Sequence, residues 1–212
     1  MIGLISACII MFLDTVINIS SKSKWFLIHS VINVIVTIST SKCAYNAFVY
    51  PFNYLPTDNV VCSSFPSILV YSLHIYHILF YKCNILDYTH HIVMMTLLSF
   101  PIYYDTPVYY ILANYSLFFT CGLPGGIDYF LMYLVTCDKI QPITEKKWNN
   151  ILNTWVRAPG IMYGAFICYQ QYLINYEYPC TYIASACVLI WNAQYFSNKV
   201  AMAYVLAMIP IK

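Results

Sequence analysis

From Ile2 to Ile19 the chain carries a single charged side chain, Asp14, and this poverty of charge recurs along its length. Further runs at residues 25–41, 65–81, 87–104, 107–136, 158–175 and 180–198 approach or exceed the roughly 18 apolar residues an α-helix needs to cross a bilayer. Lipid offers the backbone no hydrogen-bond partner, so such runs fold as helices that satisfy their own N–H and C=O groups. The predicted fold is all-α: a multi-pass transmembrane helical bundle of about seven spans, one integral domain over residues 1–212. Only 8% of the residues are charged, against about 25% in ordinary soluble domains, and a soluble fold is excluded on that reading.

The first run lacks a basic leading region and a small-residue cleavage site, so it is expected to be a retained helix. The tail at 200–211 is short for an eighth crossing and is expected to lie on the membrane surface or against the bundle. "YPFNYLPTDNVVCSSFP", between the second and third runs, has the prolines and polar residues of a loop. Nine cysteines, an odd number mostly inside apolar runs and without CxxC spacing, argue against both a disulfide framework and a zinc ribbon.

Charge placement gives an independent test, because cytoplasmic loops are enriched in Lys and Arg. With alternating loops, one side collects Lys22, Lys24, Lys82, Lys139, Lys146, Lys147, Arg157 and Lys199. The other holds Lys42 beside Asp58, Asp105 and Glu177. This predicts a cytoplasmic C-terminus. The net charge of +2 is small and scattered, and no nucleic acid partner is expected.

The polar residues inside the runs are the candidate site. "HIYHILFYKCNILDYTHHIV" reads as a helical hairpin turning near Lys82–Leu86, which brings His77, His90 and His91 to similar depth, with His74 one turn deeper. Asp87 stands three and four residues before the paired histidines, the spacings that bring side chains together on a helix. It equally fits a plain helix N-cap. The fifth run contains Gly122, Pro124, Gly125 and Gly126 before Asp128, and reads as a helix broken in its middle. Arg157, the sole arginine, opens the sixth run and reads first as a snorkelling side chain; the alternative is pairing with Asp128 or with an anionic head group or phosphate. Asp14 reads as a polar anchor in the first span. Five histidines fall short of a di-iron cluster, and the absence of ligand spacing argues against a smaller metal set, so no metal is expected.

"LDYTHHIVM", followed by "NYSLFFTCGLPGGIDYFLM" and "NNILNTWVRAPG", resembles in order and spacing the TLC domain, the family of ceramide synthases, translocation-associated membrane proteins and lipid-regulating relatives. The resemblance covers about residues 65–204. It implies an endoplasmic-reticulum protein whose partners are membrane lipids, sphingolipid or acyl chains among them. It also maps the catalytic pair onto His90 and His91, with Asp87 and Asp128 beside them, and substrate contacts onto His74, His77, Asn114 and Arg157. No cofactor is implied, only acyl-CoA as co-substrate if the chain is an acyltransferase. The downstream His-Asp-x-x-Asp element of the synthases is missing: no histidine follows His91. The leading expectation is therefore binding, sensing or regulation of membrane lipid. A ceramide-synthase-type N-acyltransferase is the alternative, and a transporter or ion pathway using Asp128 at a discontinuous helix is a weaker one.

Overall fold

Helices account for nearly all of the backbone in the computed structural model, which describes residues 2–50, 62–104, 106–174 and 178–209, and no strand occurs among the described residues. Asp58, Asp105, Glu177, most of the loop after Tyr50 and the last residues of the tail lie outside the described residues. The helices are α1 (Ile2–Val16), α2 (Ser21–Val49), α3 (Phe65–Phe80), α4 (Ile85–Tyr104), α5 (Pro107–Leu117), α6 (Leu123–Thr136), α7 (Pro142–Leu152), α8 (Ala158–Ile174) and α9 (Pro179–Met208). Two of these pairs run on without interruption. α5 continues into α6 through a π-helical turn at Phe118–Gly122, and α7 into α8 through another at Asn153–Arg157.

Seven helical rods result. Two, Ser21–Val49 and Pro107–Thr136, are long and apolar enough throughout to cross a membrane, and Ile2–Val16 and Phe65–Phe80 are shorter apolar helices.

The fifth run is not broken. Its Gly and Pro residues are absorbed by the π turn, where Gly122 takes ψ −99° and Pro124 sits in the first turn of α6, where a missing N–H costs little. The glycines serve close packing. A Cβ at Gly125 would lie 2.9 Å from the Asn33 amide nitrogen, and Ser30 donates across to the Gly126 carbonyl at 2.8 Å, joining α2 to α6. At Gly160 a Cβ would fall 2.1 Å from the Phe119 ring, so the two π-turn regions also meet through a glycine.

The sixth rod starts at Pro142 rather than 158. Its first half was hidden by polarity, because Glu145, Asn149, Asn153 and Arg157 follow one another at four-residue spacing on a single face. Asn149 Nδ2 donates to Glu145 Oε1 at 3.3 Å, Asn153 Nδ2 to Asn149 Oδ1 at 2.6 Å, and Arg157 Nη1 to Asn153 Oδ1 at 3.3 Å. The tail is likewise not separate: α9 runs unbroken to Met208.

The cysteine reading also needs correcting, since Cys43 at the end of α2 is disulfide-bonded to Cys62 just before α3. The bond joins positions 19 apart and matches no spacing signature. It fixes one end of the bundle. The other end is held by the turn between α1 and α2, where Lys24 Nζ stands 3.6 Å from Asp14 Oδ1 and the Tyr81 hydroxyl donates to the same carboxylate at 3.2 Å.

Candidate functional site

The histidine hairpin forms as expected, α3 ending at Phe80 and α4 beginning at Ile85. Its turn explains the start of α4. Asn84 Oδ1 accepts from the backbone N–H groups of Leu86 and Asp87, at 2.8 and 3.1 Å, and Asp87 Oδ2 accepts in return from the Asn84 N–H at 2.9 Å. This is a reciprocal capping box. Asp87 is thus engaged with the backbone and makes no hydrogen bond to His90 or His91; the expected carboxylate–imidazole contact is replaced by a cap, with Asn84 rather than Asp87 as the N-cap residue.

The imidazoles are held by one another and by aromatic rings. His77 Nδ1 and His91 Nε2 are 2.7 Å apart and share a proton in a hydrogen bond. His74 Nδ1 donates to the Val70 carbonyl at 2.7 Å, and the His74 ring meets the His91 ring edge-on at 4.7 Å between centroids. The His90 ring lies 5.6 Å from that of His74 and 6.2 Å from Phe196 of α9. On the other side Trp25 stacks on His77 at 3.9 Å and meets His29 edge-on at 4.8 Å, and His29 stacks on Tyr129 at 3.7 Å. All five histidines of the chain therefore gather at one end of the bundle. His29 was missed in the sequence; its four-residue spacing from Trp25, on a helix close to two other helices, was the available signal.

Asp128 is buried, next to Tyr129 in sequence, and one of its carboxylate oxygens has no partner. Arg157 reaches the same region: its Nη2 lies 3.6 Å from where a Gly125 Cβ would stand. The two form no ion pair, and the ion pairs among the described residues are Lys24–Asp14 and Lys146–Glu145. Asn114 stands apart from this group. Its amide donates to the Ser63 and Tyr110 carbonyls, both at 2.8 Å, beside the disulfide end. It sits 14 positions before Asp128 in the same rod, about 21 Å along the axis.

Of twelve described residues with a buried polar atom that has no hydrogen-bond partner, half gather at the histidine end: His29, Asn33, His74, His91, Asp128 and Arg157. Buried polar groups in proteins are paired in the great majority of cases, and an orphan costs about 1–3 kcal/mol. Such a concentration marks a space that water, an ion or a ligand's polar group completes. Along the same helices α4 and α9 lies a largely apolar cleft of about 690 Å³, a figure that includes the open space at its mouth. Met94, Leu98, Leu112, Leu117 and Leu189 supply much of its wall, with Asn192 among its few polar groups. Met94 is one turn beyond His90 and His91, and Asn192 one turn before Phe196.

Comparison with protein-family models, with curated proteins and with solved structures returns no match to the chain.

Proposed function

We propose that the chain is a multi-pass membrane protein of TLC-like architecture that binds a membrane lipid, its polar head at the histidine end and its acyl chain in the apolar cavity. One observation carries this reading: unpartnered buried polar atoms of His74 and His91 lie about one helical turn from Met94, which lines a largely apolar cleft. That pairing of surfaces complements an amphipathic molecule, since an apolar tail leaves no polar group stranded while the head group supplies the missing hydrogen bonds. The seven rods serve as seven crossings in this proposal, with the histidine end and C-terminus facing the cytoplasm of an internal membrane, the endoplasmic reticulum. The disulfide at the opposite end suits an oxidising lumen.

The test is lipid occupancy. Protein purified in mild detergent is expected to retain lipid detectable by native mass spectrometry, and Ala113→Phe, which fills the cavity, to reduce it severalfold. No retained lipid, or retention indifferent to Ala113→Phe, would sink the proposal.

A second reading, histidine-dependent N-acyl transfer, is favoured by the His77–His91 hydrogen bond, an imidazole oriented by a second group in the manner of a general base. It predicts amide formation from acyl-CoA and a sphingoid base, abolished in His91→Ala. Absence of product in the unmodified protein removes it and leaves lipid binding standing. The transport expectation rested on a discontinuous helix, and the rod from Pro107 to Thr136 is continuous.

A further inference from the structure

The tautomers of the histidine cluster point beyond lipid binding. A carbonyl oxygen only accepts, so the 2.7 Å contact between His74 Nδ1 and Val70 O fixes the proton on Nδ1 and leaves Nε2 as a bare lone pair. That Nε2 is buried and faces no donor. His91 presents the same situation from the facing helix. With the shared proton on His91 Nε2, donated to His77 Nδ1, the buried and unpartnered His91 Nδ1 is a second bare lone pair. The His74 and His91 side chains are 4% and 3% exposed, so water does not compensate freely. In that tautomer of the His77–His91 pair, the two buried lone pairs can take a cation.

A third imidazole completes the set. One ligand-capable nitrogen each from His74, His90 and His91 lies within 4.8 Å of the others. A tetrahedral zinc ion with about 2.0 Å bonds needs edges near ~3.3 Å, so binding requires the three rings to draw together, the exposed His90 by side-chain rotation. The outer contacts suit metal-binding histidines: His74 donates its second nitrogen to a backbone carbonyl, and the second nitrogen of His91 is hydrogen-bonded to His77. We infer that His74, His90 and His91 form a three-imidazole site for a divalent transition ion of the zinc class, with His77 as the positioning residue.

Imidazole ligands favour zinc, cobalt, nickel, copper and iron over magnesium or calcium. Three protein ligands leave a fourth position for water or an exchangeable ligand. The neighbouring group of His77, Cys83 and His91 is a poorer candidate. Its two imidazole nitrogens are 2.7 Å apart, a hydrogen-bond distance shorter than the edge of a zinc tetrahedron. The ligand set escaped sequence reasoning because it has no regular spacing: one histidine comes from α3 and two adjacent ones from α4, and the tight Tyr81–Asn84 turn brings them together.

The site does not depend on the lipid reading, and the two are measured separately. The chain is purified in detergent through a tag containing no histidine, stripped with chelator and titrated with Co²⁺ alone, following the visible ligand-field band, then with Zn²⁺ as competitor. The expected result is one saturable Co²⁺ per chain, displaced by Zn²⁺. His90→Ala alters an exposed ring, so the fold survives, and it is expected to weaken binding at least about tenfold. His77→Ala is expected to weaken binding about 10–100-fold, the usual effect of losing an outer-shell partner. Asp87→Asn leaves it unchanged. The assignment is overturned by absence of saturable binding in the parent, or by unaltered affinity in His90→Ala. Lipid occupancy in the same samples reports the earlier proposal independently.

Discussion

Asp87 shows how a residue's spacing can mislead about its partner. Positions three and four before the paired histidines put its carboxylate in reach of either ring, yet the N–H groups at the start of a helix compete for it and are nearer. In the structure Asp87 completes a capping box with Asn84, and this assigns the two residues different weights. Asn84→Ala frees two backbone donors and is expected to cost about 1 kcal/mol, and Asp87→Ala, which frees one, about half as much. Thermal unfolding in detergent should show that order, with lipid and cobalt binding intact in Asp87→Ala. Loss of either ligand in that variant would return Asp87 to the site. The gathering of His74, His77, His90 and His91 was legible because a hairpin makes depth a matter of counting residues. His29 was not, since its contact with Tyr129 depends on how α2 and α6 approach, and that is set by Gly125 and Gly126 against Asn33 and Val34.

At the level of whole helices, the apolar runs located all seven rods, but their ends obey rules that hydropathy does not register. The polar face of the sixth rod buries Glu145 and Asn153, and four-residue hydrogen bonding makes that burial tolerable. The Gly-Leu-Pro-Gly-Gly stretch looked like a break because its residues weaken an α-helix; a π turn ending at Gly122 leads straight into α6 and keeps the rod continuous. A π turn holds one residue more than an α turn, so removing one residue there restores regular helix and leaves the orientation of α6 unchanged. Removing a residue from regular helix rotates everything beyond it by about 100°. Deletion of Thr120 is therefore expected to be tolerated far better than deletion of Met132, read as the yield of monodisperse protein and its thermal midpoint. Equal damage from both would contradict this account of the turn.

For the molecule as a whole, charge asymmetry and the disulfide bear on orientation independently. The lysine-rich loops share an end with the histidines. Cys43 and Cys62 are bonded at the other end, His29 and Cys43 being 14 residues apart along α2, about 21 Å. The native cysteines test the arrangement. Cys137, after the fifth rod, and the exposed Cys180, in the first turn of the seventh, are expected to react with an impermeant maleimide from opposite faces of sealed vesicles. Reaction of both from one face would remove the seven-crossing proposal and with it the single cytoplasmic mouth.

The rods are also unequal. α3, which packs against α1, has 16 residues and spans about 24 Å, whereas the 30 residues of α9 span about 45 Å. On the membrane reading proposed above, one side of the protein is thinner than the hydrocarbon slab of a typical bilayer, about 30 Å, and another is much thicker. Lipid beside α3 must thin to meet it, at a cost that accumulates with each ångström of mismatch. That cost is least in a membrane about 27 Å thick, as in the endoplasmic reticulum, and grows in sterol-rich membranes. On that proposal the short α3 would act as a thickness gauge, favouring residence where the bilayer is already thin.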